Sequence, residues 1–401
     1  MRMKFNKTSQ LMLVSAASLL AAGLITACAT LTVDFVYVAS SRAAGASNYG
    51  EVDVFEINSE SGHMRQIPTS PFPSGGRNPV AEAVSKNYKT LFVVNRDDNA
   101  IVQFTIGNDG KIYPQNTTNT AGIFPIAVSV SGSSLFVVDT YQPLPTCSDA
   151  APCSGSIAVY PIASTGQLGA AVANGSRNYW PLLLPANPAH IVIPTSVNVL
   201  ASGAAVYVAA YDSTVVPHAG YVFGFSVDST GALSPLNGGV PFAAGIQPSA
   251  IASDPSSAYV YVTDSTAGKV LGYSIASGLL SPLAGSPFPA GDQPSAMVID
   301  PSGKFAYVTN ALDSTISAYA VASGVLSPLG ATFSTGSQPV AIGIDPSAKH
   351  FLYTANFLGN NVSGFELNTT TGSLLTTQNS PFTANAQPTA VAAIPHGSVP
   401  K

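Results

Sequence analysis

Two short strand patterns recur along this chain and constrain its fold more than any other feature. The first starts near a proline, and its copies are NPVAEAVS (78–85), FPIAVSVS (124–131), NPAHIVIP (187–194), IQPSAIAS (246–253), DQPSAMVI (292–299), SQPVAIGI (337–344) and AQPTAVAA (386–393). The second starts at an aromatic residue, and its copies are YVAS (37–40), FVVN (92–95), FVVD (136–139), YVAA (207–210), YVTD (261–264), YVTN (307–310) and YTAN (353–356). Each pattern occurs seven times, and successive aromatic-led copies start 55, 44, 71, 54, 46 and 46 residues apart.

The length of the repeat indicates a β-propeller. Units of about 45 residues that hold several short strands are typical of propeller blades. Asp-Pro-Ser segments at 254–256 and 300–302 supply turns between the first and second strands of their units. A third strand follows, such as STISAYAV (314–321), in which apolar and polar residues alternate. We therefore expect an all-β fold, a seven-bladed β-propeller of four-stranded antiparallel blades.

The two ends of the repeat array predict how the ring closes. The first aromatic-led strand has no proline-led strand before it, and the last proline-led strand has no aromatic-led strand after it. Pairing these N- and C-terminal strands completes one blade and removes the exposed sheet edges. We expect one propeller domain over residues 35–396, followed by a short tail, 397–401.

The N-terminus has the pattern of a bacterial lipoprotein signal peptide, residues 1–27. A basic start, MRMKFNK, precedes the apolar run at 11–25 and the small residues before Cys28. Lipidated Cys28 would anchor the protein in the cell envelope through a tether, residues 28–34, and Ala29 favours the outer membrane. The alternatives are a soluble secreted protein and an uncleaved anchor.

Charge and motif content exclude several classes of partner and chemistry. Removal of residues 1–27 takes three of the 15 basic residues and none of the 20 acidic ones, which leaves a net charge of −8. Nucleic acid is not an expected partner, because phosphate-binding proteins cluster Lys and Arg. No motif for a metal or another cofactor is present, so we expect neither.

Two cysteines remain, Cys147 and Cys153. Two cysteines six residues apart in an exported chain indicate a local disulfide that holds a loop. The alternative is a metal or redox pair, which neighbouring histidines do not support.

The departures from the repeat place a candidate site on one rim. Long loops enter proline-led strands or leave aromatic-led strands, and these two kinds of loop share one face of a propeller. Six proline-led strands have alanine two residues after the proline, whereas NPAH has His190 there. Three residues after the proline the other copies have an apolar residue, whereas NPVAEAVS has Glu82. The alternatives are a buried, hydrogen-bonded His and Glu, and loops lengthened by neutral drift. Other rim candidates for binding a ligand are Arg96, Arg177, Trp180, Tyr211 and Asp212.

The segment IDPSGKFAYVTN (299–310) resembles the YVTN-repeat and lactonase-like seven-bladed propellers. That family includes the propeller type of 6-phosphogluconolactonase and the fungal carboxymuconate-lactonising enzyme. The resemblance implies a Pro-x-His in an inner strand, which NPAH matches at His190. It also implies Asn-Glu after the aromatic-led strand, whereas this chain has Tyr211 and then Asp212.

Two functions follow from these observations. The first is an envelope-anchored binding or scaffold module that holds a carbohydrate, a lactone or a protein partner on its loop-rich rim. The second is a hydrolase that opens a sugar lactone, similar to 6-phosphogluconolactonase, with His190 as base and Glu82 as a further catalytic candidate. The missing glutamate and the expected export both favour the binding module.

Overall fold

Seven antiparallel sheets arranged around one axis make up the protein in a computed structural model. The structure describes residues 33–44, 48–346, 350–385 and 387–395, so the signal segment and Cys28 lie outside the described residues. The innermost strands of neighbouring sheets contact one another in succession until the last meets the first. The predicted all-β, seven-bladed propeller is confirmed. In the described part of the chain, no helix is both long and apolar enough to cross a bilayer.

The first four blades contain strands β1 to β17. Blade 1 has β1 (Val33–Ala44), β2 (Tyr49–Asn58), β3 (Met64–Gln66) and β4 (Phe72–Pro73), and blade 2 has β5 (Pro79–Val84), β6 (Thr90–Asn95), β7 (Ala100–Ile106) and β8 (Ile112–Asn119). Blade 3 has β9 (Ile123–Ser131), β10 (Ser134–Tyr141), β11 (Ser156–Pro161) and β12 (Trp180–Pro181). Blade 4 has β13 (Val192–Val199), β14 (Ala205–Asp212), β15 (Ala219–Val227), β16 (Leu233–Pro235), a 3-10 turn (Asn237–Gly239) and β17 (Phe242–Ala243).

The last three blades are more regular. Blade 5 has β18 (Pro248–Ser253), β19 (Tyr259–Asp264), β20 (Lys269–Ala276), β21 (Leu279–Pro282) and β22 (Phe288–Pro289), and blade 6 has β23 (Pro294–Ile299), β24 (Phe305–Asn310), β25 (Thr315–Ala322), β26 (Val325–Pro328) and β27 (Phe333–Ser334). Blade 7 has β28 (Pro339–Ile344), β29 (Phe351–Asn356), β30 (Asn361–Leu367), β31 (Leu374–Thr376) and β32 (Phe382–Thr383). Strand β33 (Pro388–Ile394) returns to blade 1.

Blade 1 closes the ring as the sequence predicts. Strand β33 is its innermost strand and pairs antiparallel with β1, from Phe35 opposite Ile394 to Ser40 opposite Pro388. The other edge of β1 pairs with β2. The first and last of the described strands therefore share one sheet, and each of the seven blades has an inner strand within the described ranges.

The inner strands of five blades begin at a proline, and the register corrects the alignment of blade 4. In blade 5, Pro248 lies opposite Asp264 and Ala250 opposite Thr263, with a bulge between them. Blade 4 shows the same bulge between Pro194 and Ser196. Pro194 is thus the repeat proline, and Ser196 occupies the position of the alanine. The expectation that His190 stands at that position in the strand is wrong, because NPA at 187–189 imitates the pattern six residues early.

Tyrosines on the second strands tie neighbouring blades together. Four of their hydroxyls donate to a glycine carbonyl in the next blade at 2.8–3.0 Å; the pairs are Tyr37–Gly110, Tyr207–Gly278, Tyr261–Gly324 and Tyr307–Gly372. These glycines have φ between 74° and 81°, a conformation that residues with a Cβ rarely adopt. We call these pairs the tyrosine–glycine latches.

Apolar clusters fill the spaces between blades. One contains Phe136 and Val138 of blade 3 together with Val206 and Val208 of blade 4. Since every blade is covered on both faces by its neighbours, the array forms a single domain. The loops that leave second strands and those that precede inner strands lie on the same face, which we call the upper rim.

Candidate functional site

His190 lies on the upper rim at the seam between blades 3 and 4. It ends a turn in which its N–H donates to the carbonyl of Asn187 at 3.0 Å. The hydroxyl of Ser154, from the long loop of blade 3, donates to the His190 carbonyl at 3.1 Å. The same hydroxyl accepts the N–H of Val192 at 3.1 Å. The backbone of His190 is therefore fixed by two blades.

The imidazole of His190 is paired with a buried carboxylate. Its Nδ1 lies 2.6 Å from Oδ2 of Asp212, whose side chain is 2% exposed, whereas that of His190 is 32% exposed. The other oxygen of Asp212 accepts the N–H of Thr214 at 2.9 Å and its hydroxyl at 2.5 Å. Burial acts to raise the pKa of Asp212, but the hydrogen bonds from Thr214 and His190 outweigh it and lower the pKa.

This pairing determines which nitrogen of the His190 ring donates a hydrogen bond to Asp212. An ionised carboxylate can only accept hydrogen bonds, so Nδ1 of His190 carries the proton that faces Asp212. Nε2 is then the nitrogen that accepts a proton from a water molecule. A partly exposed imidazole oriented by a buried aspartate is an arrangement suited to general base catalysis.

A second group of side chains occupies the seam between blades 2 and 3. The guanidinium of Arg96 lies 2.9 Å from Asp97 and 3.6 Å from Asp149, and its Cζ lies 4.2 Å from the centroid of the Phe124 ring. The hydroxyl of Tyr141 donates to Asp149 at 3.2 Å. Arg96 is thus held by two carboxylates and one aromatic face.

The loop between β10 and β11 joins these two groups. The predicted disulfide between Cys147 and Cys153 is confirmed, with the two Cα atoms 5.6 Å apart. Asp149 lies inside the ring that the disulfide closes, and Ser154 follows directly after it. One cross-linked loop therefore contacts Arg96 with one residue and the backbone of His190 with another.

Aromatic rings contact or adjoin both of these groups. Tyr211 packs on His218 with the ring centroids 4.9 Å apart, and Phe124 meets Tyr141 edge-on at 6.1 Å. Burial raises the pKa of Tyr211. The pKa of Tyr141 is also raised, first by burial and then by the charge of Asp149, and Tyr211 adds a smaller contribution in the same direction. Both hydroxyls are therefore protonated at neutral pH.

Trp180 and Arg177 do not join the site. Trp180, a rim candidate of the sequence, is 5% exposed and packs in the apolar cluster between blades 3 and 4, so its ring is not accessible to a ligand on the rim. It lies in β12, the outermost strand of blade 3. Arg177 is exposed in the connection before β12, with its Cζ 5.8 Å from the ring of Tyr179. The long segment at 174–188 therefore serves mainly the outer edge of blade 3.

Glu82 lies apart from His190. Its contacts are at the seam between blades 1 and 2, where the N–H of Ala392 is the nearby backbone donor. Both carboxylate oxygens are buried, and neither has a hydrogen bond of ordinary geometry among the described residues. Burial raises the pKa of Glu82 to about 8, and the Ala392 N–H opposes this only in part. The two catalytic candidates of the sequence are therefore not brought together.

The sequence reasoning missed Phe124, Tyr141, Asp149, Ser154 and His218. For Phe124 a signal exists. The residue before the repeat proline is Asn or Gln in five blades, at positions 78, 247, 293, 338 and 387, whereas blade 3 has phenylalanine. Phe124 has φ of 56°, a conformation that is costly for a bulky side chain.

The opposite face offers no comparable chemistry among the described residues. A cavity of 420 Å³ between blades 5 and 6 is lined by turn residues that include Asp254 and Ser256. Asp254 there accepts the N–H groups of Ser256, Ala258 and Tyr259, so it serves the turn itself. No group of three His, Cys, Asp or Glu side chains within the described ranges is arranged to hold a metal ion.

Solved structures with the same architecture are numerous. The periplasmic gluconolactonase of Pseudomonas aeruginosa is 21% identical, with a TM-score of 0.70 over 91% of this chain and 100% of that one. A candidate 6-phosphogluconolactonase of Bacteroides fragilis is 19% identical, with a TM-score of 0.70 over 91% of this chain and 99% of that one. A protein of Lactobacillus plantarum is 17% identical, with a TM-score of 0.66 over 90% and 99%. At these identities the similarity establishes the fold.

No curated protein matches the chain. The family described as "Lactonase, 7-bladed beta-propeller" matches residues 35–178 and 221–392. The unmatched segment between them, 179–220, includes His190, Tyr211, Asp212 and His218. The match covers most of the sequence and all seven blades in part. The chain therefore belongs to the lactonase family of seven-bladed β-propellers.

Proposed function

We propose that this protein is a lactone hydrolase whose general base is His190. The observation that carries the proposal is the 2.6 Å contact between Nδ1 of His190 and the buried carboxylate of Asp212 on the loop-rich rim. Asp212 is a positioning residue: it holds the imidazole in one orientation and one tautomer. Membership of the lactonase family supports the same reaction class.

The reaction that this geometry supports is water attack on the lactone carbonyl. Nε2 of His190 takes one proton from the attacking water as the new C–O bond forms. The resulting tetrahedral intermediate then expels the ring oxygen, and the proton on Nε2 passes to that oxygen. The products are a free hydroxyl and a carboxylic acid in one molecule, and His190 returns to its starting state.

Hydrolysis accounts for the site better than the binding or scaffold function favoured by the sequence. A pure binding surface does not require a buried, ionised aspartate on Nδ1 of a partly exposed histidine. The sequence argued against catalysis because a glutamate was missing after the aromatic-led strand. Asp212 supplies a carboxylate from the next position, and it contacts His190 directly.

We also propose that the enzyme works outside the cytoplasm, attached to the envelope through Cys28. The signal pattern of residues 1–27 supports export. The disulfide between Cys147 and Cys153 is consistent with an oxidising compartment.

The test is hydrolysis of purified 1,4- and 1,5-aldonolactones, followed by acid release at constant pH. The wild-type protein should exceed the spontaneous rate, and His190→Gln should lower kcat/KM by on the order of a hundredfold or more. Asp212→Asn keeps the size of the side chain but weakens its hold on the ring, and it should lower kcat by roughly tenfold or more.

The matched control is His63→Gln. His63 lies on the opposite face and packs edge-on against Phe382, so the same substitution there should leave hydrolysis unchanged. A wild-type rate no faster than the spontaneous one, or a His190→Gln variant as active as wild type, would refute the assignment.

A further inference from the structure

We propose that the upper rim selects sugar lactones without a phosphate group, and that Asp149 and Asp97 set this preference by neutralising Arg96. This inference rests on the proposed lactone hydrolysis and adds the substrate class. Its basis is the pairing of cationic and anionic side chains beside the His190 site.

The arginines of this part of the rim are already engaged. Arg96 contacts Asp97 and Asp149, while Arg77 contacts Asp98 at 2.6 Å and donates to the carbonyl of Asp97 at 3.1 Å. Two guanidinium groups therefore meet three carboxylates. Among the described side chains of this cluster the net charge is negative, so a phosphate dianion brought here would be repelled.

The disulfide-closed loop holds Asp149 in position. It lies within the segment closed by Cys147 and Cys153, and it accepts the hydroxyl of Tyr141. Arg96 is also fixed from below by the ring of Phe124. Turning Arg96 toward a phosphate would break contacts with both aspartates and this aromatic face. The arginine is therefore poorly suited to bind an anionic ligand.

The same rim suits an uncharged sugar ring. Phe124, Tyr211 and His218 are partly exposed aromatic rings, and the C–H faces of sugars pack on such surfaces. Asp97 and Asp149 keep exposed carboxylate oxygens, which accept hydrogen bonds from sugar hydroxyls. Ser154 connects the Asp149 loop to the backbone of His190, so these groups border the catalytic histidine.

The experiment compares kcat/KM for glucono-1,5-lactone and its 6-phosphate. Wild type should prefer the unphosphorylated lactone by on the order of tenfold or more. Asp149→Asn releases Arg96 from one carboxylate and should shift the ratio toward the phosphorylated substrate by about fivefold. Raising the salt concentration should speed hydrolysis of the phosphorylated lactone by wild type, because salt screens the repulsion.

Asp109→Asn is the matched control. Asp109 is exposed on the opposite face, where it pairs with Lys111 at 3.0 Å, so this variant changes net charge equally without touching the rim. Its substrate ratio should equal that of wild type. Asp97→Asn provides a second way to release Arg96 if Asp149→Asn unfolds.

The outcomes separate the two proposals. If wild type hydrolyses neither lactone, the proposed function fails. If it hydrolyses both but prefers the phosphorylated one, or if Asp149→Asn and Asp97→Asn both leave the ratio at the wild-type value, hydrolysis stands and the substrate inference is overturned.

Discussion

Replacing Glu82 with glutamine should make the propeller more stable, and increasingly so as the pH rises. The corresponding residues of the other inner strands are apolar and pack between blades; they are Val128, Val197, Ile251, Met297, Ile342 and Val391. Glu82 places a carboxyl group in this environment without an ordinary hydrogen-bond partner among the described residues. Burial raises its pKa from 4.5 to about 8.

The sign and size of the effect follow from this pKa. Because the folded state holds the proton more tightly than the unfolded state, the folded protein carries no penalty below about pH 4.5 and loses stability as the pH rises to about 8. At 1.36 kcal/mol per unit, the full loss is about 5 kcal/mol, of which about 3 kcal/mol is reached by pH 7. Glutamine stays neutral throughout and avoids the loss.

Urea unfolding of wild type and Glu82→Gln at pH 4.5, 7 and 8.5 measures the difference. The two proteins should be nearly equal at the lowest pH and diverge above it, since other titrating groups are common to both. Glu56→Gln removes a carboxylate that pairs with the exposed Arg65, and should change stability by less than about 1 kcal/mol. A difference between wild type and Glu82→Gln that does not grow with pH would refute the reasoning.

Three further predictions concern other parts of the chain. Asp139→Asn should stabilise the protein above about pH 7 but not near pH 4, because burial raises the pKa of Asp139 to about 7; unfolding at both values checks this. Tyr37→Phe removes one tyrosine–glycine latch and should cost about 1–2 kcal/mol in urea unfolding, whereas Tyr353→Phe should cost less, since that hydroxyl has no hydrogen bond to a described residue. Cys28→Ser should move the protein from membranes to the soluble fraction; a variant that stays bound after a high-salt wash contradicts lipid anchoring.

The propeller architecture can be predicted from the sequence because the two strand patterns repeat along the chain. The proline-led and aromatic-led strands recur in every unit, and their unpaired first and last copies identify the blade that closes the ring. The disulfide between Cys147 and Cys153 is also local in sequence. These features can be predicted without knowing which blades are in contact.

The candidate site is less predictable because its contacts join different blades. Arg96 meets Asp149, and Ser154 meets His190, across seams that separate residues by 53 and 36 positions. Blade 4 adds an error of register: NPA before His190 imitates the repeat, and only the pairing of Pro194 with Ala210 shows where the strand begins. Asp212 was a candidate, but its role as the partner of His190 required the three-dimensional structure.

The closure of blade 1 also has a mechanical consequence. Strand β1 lies between two antiparallel partners, β2 and β33. A pull on the chain before Val33, such as drag on a tethered protein, acts along this strand rather than across it. The ladder hydrogen bonds on both edges then resist sliding together instead of opening one at a time from an edge. A tether at this end would thus load the propeller in shear, through the same sheet that seals the ring.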